Sequence, residues 1–145
     1  EELLGQERAV VAIVSQRSSD IDEPSFDQLF EVGTVARVVK GHRVHPKTRF
    51  IVQPNSWGVY REAQRRGYFD TLLDAGVMVI SPGCHLCIGM QGTLTDGDVC
   101  LTSTTRNHKG RMGSGNADIY LAGPATVAAS AIAGEIRDPR EAVPA

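Results

Sequence analysis

"VMVISPGCHLCIGMQG" spans residues 77–92. It opens with an apolar run, Val77 to Ile80, and breaks at Pro82-Gly83 into a loop that carries Cys84 and Cys87. A short continuous apolar run bounded by turn residues reads as a strand buried on both faces, the signature of a parallel sheet. In an open α/β sheet, ligands sit beyond the carboxyl ends of the strands. The same stretch therefore argues for a fold class and for a place within it where chemistry belongs.

Further runs extend the pattern on both sides. Ala9–Ser15, "AVVAIVS", is a second apolar run and reads as a strand. After a polar loop, Ser25 and Gln28 form a capping pattern ahead of Phe26, Leu29, Phe30, Val35 and Val39 at roughly helical spacing, and Gly41 closes the helix. Phe50–Val52 reads as a strand closed by Pro54, Ser56 caps a helix to about Arg66, and "YFDTLLDAG" is a further helical piece ending at Gly76. Val99–Thr102 and Ile119–Leu121 read as strands, and Pro124 starts an Ala-rich helix that stops at Gly134. Strands alternating with helices predict a three-layer α/β/α domain with a mainly parallel sheet. No repeat or linker interrupts it, so residues 1–145 read as one domain, with 1–8 and 138–145 peripheral.

Composition narrows the classes. A chain of 145 residues with 41% hydrophobic and 22% charged content is an ordinary globular one. The formal net charge of -2 argues against a broad nucleic-acid surface, which needs excess Lys and Arg. No apolar run reaches the length of a membrane span, and no secretory leader pattern opens the chain. It begins at Glu1 without Met, which reads as a processed form or an excised domain. With 3 cysteines a disulfide framework is not expected, and reduced thiols in the cytoplasm are.

Cys84 and Cys87 admit three functional readings. A thioredoxin-like redox pair uses Cys-x-x-Cys, yet here the motif comes late and lacks a following Pro. A structural zinc site needs four ligands, usually as two pairs, and neither a second Cys-x-x-Cys nor a His-x₃₋₅-His follows. An iron–sulfur cluster uses the same spacing with further thiolates from elsewhere. The motif alone leaves these open. Cys100, inside "DVCLTS", reads as a small buried hydrophobe.

A second Gly-rich segment follows another strand: "TSTTRNHKGRMGSGN", residues 102–116. It groups Arg106, Lys109 and Arg111 in a net acidic chain. Lys109 reads as a solvated loop residue. Arg106 and Arg111 sit among Asn107, Gly110 and Gly113, and an arginine fork binds carboxylate through two parallel hydrogen bonds that Lys cannot copy. A thiol-bearing loop beside two arginines suggests a metal site acting on a polycarboxylate. The two loops should share one edge of the sheet.

Together, "PGCHLCIGMQG", "TSTTRNHKGRMG", "DIYLAGPATVAASAIAGEIRDPR" and "VVKGHRVHP" resemble the aconitase family, over about residues 25–140. That family includes aconitase, homoaconitase and the 3-isopropylmalate dehydratase large subunit. The resemblance implies the family's iron–sulfur domain fold and a 4Fe–4S cluster held by three cysteines, with one iron open to substrate. Cys84 and Cys87 match the paired ligands. Arg106 and Arg111 match the arginines of an Asn-Arg-Asn…Gly-Arg segment that serves substrate and active site, Asn107 matches its second Asn, and Thr105 replaces its first. The family's third ligand lies in a Gly-Ser-Cys-Thr-Asn stretch after a strand. The strand-based match puts Gln16 there, and counting back from Lys40-Gly41 lands near Ile21, so residues 1–24 match poorly. The family's catalytic base comes from a separate swivelling domain or small subunit, so no catalytic residue is assigned in this chain.

The expected function is that of a hydro-lyase/isomerase domain, acting on a hydroxy di- or tricarboxylic acid together with the remaining domains or a small swivel subunit. The isolated chain is expected to be inactive. The alternative is a non-catalytic relative that keeps the fold without a stable cluster; a zinc or thiol-redox protein ranks behind both.

Overall fold

Five strands, all parallel, form one sheet in the order β3-β2-β1-β4-β5. The computed structural model describes residues 10–14, 26–83, 85–104 and 108–142. In chain order the elements are β1 (Val10–Val14), α1 (Phe26–Val39), β2 (Thr48–Val52), α2 (Trp57–Arg65), α3 (Tyr68–Asp74), β3 (Met78–Val79), β4 (Val99–Thr102), β5 (Asp118–Leu121), α4 (Pro124–Ala133) and α5 (Pro139–Ala142). The run read as Ala9–Ser15 is thus a strand over Val10–Val14, with its end residues outside the described ones, as is the capping residue Ser25.

β1 is central: Ala12 pairs with Phe50 of β2 on one edge and with Leu101 of β4 on the other. The chain first builds outward through β2 and β3, then crosses back to lay down β4 and β5 on the far side of β1. That reversal puts a topological switch point at the carboxyl ends of β1 and β4, where a doubly wound sheet opens a crevice.

Local chemistry accounts for the helix ends. The Ser56 hydroxyl accepts from the Val59 amide at 3.3 Å, giving α2 its N-cap. Gly134 takes the left-handed conformation (φ 78°) and its amide donates to the Ser130 carbonyl, closing α4.

The period-2 alternation of the strands divides the interior. Phe50 and Val52 of β2 and Leu101 of β4 pack in the larger core with Val35 and Val39 of α1, Val59 of α2, Leu72 of α3 and Val127 of α4. Ile51 and Cys100, one residue out of phase, face a smaller core with Leu86, Leu94, Met112 and Ala117. Among the described residues, that second face is covered by loops and one 3-10 turn (Leu86–Ile88), and no α-helix contributes a buried residue to it. Helices on both faces were expected, and the difference has a physical reason. The segments around residues 85–97 and 108–117 bring their own apolar side chains and glycines, so they cover the sheet without helical structure.

Candidate functional site

Cys84, Arg106 and Asn107 lie outside the described residues, as do Thr105, Gln16 and Ile21. The remaining predicted residues, Cys87 and Arg111, are described, and the loops that carry them are stitched together. The Leu94 amide donates to the Met112 carbonyl at 2.8 Å, and the Ser114 amide donates to the Leu94 carbonyl at 2.9 Å. Leu94 and Gly113 form a parallel bridge between the two segments.

Glycine is required at this seam. Gly89, two residues after Cys87, has φ 80°, and a Cβ there would stand 2.7 Å from the Met112 carbonyl oxygen. At Gly113, φ 133°, a Cβ would stand 2.3 Å from the Leu94 carbonyl oxygen. Real Cβ atoms do not come so close, so bare backbone lets the cysteine loop lie against the residue following Arg111.

Cys87 sits in the 3-10 turn and is buried, next to the fully buried Leu86. Arg111 is half-buried, and its Nε is shut away from solvent with no hydrogen-bond partner among the described residues. Buried donors are rarely left unmatched in folded proteins, which singles this group out among the described residues. Lys109 instead forms an exposed ion pair with Asp118 at 3.3 Å, consistent with a solvated loop residue. Asp96 ties down the base of the arginine loop. It accepts from the Ser114 hydroxyl and, at 3.1 Å, from the Asn116 side-chain amide, and these bonds hold its carboxyl below the ordinary aspartate range.

Beyond the carboxyl end of β4 a cleft of about 410 Å³ is lined by Thr102, Ser103, Thr104, Leu121 and Gly123. The Thr102 hydroxyl donates to the Thr104 hydroxyl at 3.1 Å and accepts from the Thr104 amide at 3.2 Å. This turns the chain at the point where it leaves for the Arg106 segment. The cleft also borders the start of α4, whose N-cap Gly123 makes no side-chain cap, and Glu31 of α1 is part of the same lining.

One residue escaped the sequence reading. Gln53 follows β2 directly and is 1% exposed. Its Oε1 accepts from the His85 and Leu86 amides, both at 3.2 Å, and its Nε2 donates to the Ser81 carbonyl at 3.0 Å. It thus grips the backbone on both sides of Cys84. The available signal was a polar residue interrupting the apolar run "FIVQP" just before a proline.

Cys100 does not join the site: it is fully buried in the smaller core, and burial pushes its thiol up to about 12. Among the described residues, no three or more His, Cys, Asp or Glu side chains gather closely enough to hold a metal ion. Of the cysteines expected to hold an iron–sulfur group, only Cys87 is among the described residues, where it is buried.

These features define an α/β protein with a parallel sheet and a site at the carboxyl edge, made from two glycine-stitched loops. Comparison with known proteins gives the family. A model of the aconitase family (aconitate hydratase) matches residues 25–134. The 3-isopropylmalate dehydratase large subunit of Mycolicibacterium smegmatis is 50% identical over 117 residues, covering 80% of this chain and 28% of that protein. Large subunit 2 of the same enzyme from Archaeoglobus fulgidus is 49% identical over 79% of this chain and 28% of that protein. The corresponding large subunit from Nitratiruptor sp. is 45% identical over 79% and 27% respectively. The chain belongs to the aconitase family. It spans less than a third of the length of these relatives.

Proposed function

We propose that residues 1–145 form one cytoplasmic domain, the cluster-bearing part of an aconitase-type hydro-lyase. The substrate class is a hydroxy di- or tricarboxylic acid, interconverted with its isomer through an enoic acid. The names of the relatives, large subunits of a 3-isopropylmalate dehydratase, support a dicarboxylic substrate and a small-subunit partner that supplies the catalytic base.

The observation that carries this reading is the seam at Gly89, Leu94 and Met112, which lays the cysteine loop against the Arg111 loop. In the proposed role, Arg111 and Arg106 bind substrate carboxylates through paired N–H donors, and the buried Arg111 Nε supplies one such donor. Asn107 adds a neutral polar contact. Cys84 and Cys87 would hold a 4Fe–4S cluster, with a third ligand from elsewhere; when bound, such a cluster supplies a Lewis acid that polarises the substrate hydroxyl.

Anaerobic reconstitution with iron and sulfide, followed by absorbance and EPR, tests the proposal. Iron uptake should require both Cys84 and Cys87, and uptake indifferent to both would overturn it. The burial of Cys100 favours a second reading, a relative that keeps the fold without a stable cluster, and complete absence of uptake would select it.

A further inference from the structure

We infer that Gln53 is a positioning residue for the cysteine loop, and that it holds His85 as the neutral tautomer with its proton on Nε2, a hydrogen-bond donor and not a metal ligand. The role in a metal-bearing loop rests on the function proposed above; the tautomer does not.

The argument is a donor and acceptor count. The Gln53 amide orientation is fixed by its partners: Oε1 faces two backbone N–H groups, of His85 and Leu86, and Nε2 faces the Ser81 carbonyl. Turning the amide over would oppose donor to donor and acceptor to acceptor. Its Nε2 also lies 3.2 Å from His85 Nδ1. An amide nitrogen only donates, so Nδ1 must accept, and the ring proton of neutral His85 is left on Nε2. Gln53 is then fully satisfied, as its burial demands. The ring is confined on its other side by Gly83, where a Cβ would stand 2.6 Å from His85 Cε1.

The consequence bears on the missing third ligand. His85 stands between Cys84 and Cys87 in sequence and is the obvious substitute. A histidine that ligates through Nε2 donates its Nδ1–H to an outer acceptor. Gln53 presents the opposite polarity at that position, so it withholds His85 from the metal and leaves the third ligand to another part of the molecule.

Nitrogen-15 NMR of the His85 ring in this chain tests the inference, at a pH above the ordinary histidine range and with exposed His42 and His108 as references. The wild-type ring should show a single tautomer, Nδ1 unprotonated and Nε2 protonated, and added Zn²⁺ should leave Nε2 protonated. In Gln53→Glu the carboxylate can only accept, so the tautomer should reverse while circular dichroism stays unchanged. A protonated Nδ1, tautomer averaging like that of the reference rings, or Zn²⁺ on His85 Nε2 in the wild type would overturn the inference. Should Gln53→Glu fail to fold, the wild-type measurements decide alone. A locked Nε2–H tautomer in a chain that takes up no iron and sulfide would sink the proposed function and leave this inference standing.

Discussion

Arg111 offers the sharpest test at the scale of a single side chain, because its half-buried guanidinium has a shielded Nε with no hydrogen-bond partner among the described residues. If it receives a substrate carboxylate in the complete enzyme, Arg111→Lys replaces a planar fork by a point charge. Loss of a charged hydrogen bond is worth roughly 1.5–3 kcal/mol, about one to two decades in affinity. The expected result is a rise of that size in the inhibition constant of a competing polycarboxylate, with the same for Arg106→Lys. Unchanged inhibition in both variants would return the arginines to the role of Lys109, an exposed loop charge. Arg111 was singled out from the sequence because arginine among glycines is a chemical signal, and its binding of a carboxylate is the proposal made above. Gln53 was not legible, since its importance lies in four partners some thirty positions away that only the fold brings to it.

Elements were readable wherever a local rule decides them. Val99–Thr102 is a strand as its apolar run implied, Ser56 caps α2, and Gly134 stops α4. The seam between the loops was not readable, because Leu94, Met112 and Gly113 form no periodic pattern and meet through backbone groups. Two glycines, one of them at this seam, separate conformational strain from close approach. Gly41 and Gly89 share a left-handed φ, 78° and 80°, but only Gly89 has backbone within reach of an added Cβ. Gly41→Ala should cost about 1–2 kcal/mol for the left-handed conformation alone. Gly89→Ala should cost more in chemical denaturation, and equal losses would mean that the close approach to Met112 is relaxed at no cost. The base of the arginine loop adds a pH dependence. The Asp96 carboxyl is held below its ordinary 3.8 by the Ser114 hydroxyl and then the Asn116 amide. A depressed folded value means that its stabilising contribution is complete above the ordinary value and lost as pH falls through the folded one. The Asn116 backbone amide, which donates to Ser114 Oγ at 2.9 Å, should lose protection relative to its intrinsic exchange rate across that acidic window. Exchange insensitive to Asp96→Asn would show that the contact holds nothing in place.

At the scale of the whole molecule, strand order bears on which thiols could meet at one place. β1 lies between β2 and β4, so its carboxyl end falls at the switch point. That is where the family's third cysteine is expected, and residues 15–25 hold none. Cys100 cannot take its place without leaving the smaller core: it pairs in register with Val11 and Ile119, and burial is the main cause that pushes its thiol up to about 12. The isolated chain is therefore expected to take up iron and sulfide below the stoichiometry of one cluster. That residual binding should vanish in Cys84→Ser and Cys87→Ser and persist in Cys100→Ala, which removes the thiol without burying an unmatched hydroxyl. Iron and sulfide content measured after anaerobic gel filtration separates the cases. A full cluster in the unmodified chain, lost in a still-folded Cys100→Ala, would mean that β4 rearranges to expose Cys100, and the register described for that strand would have to be abandoned for the loaded state.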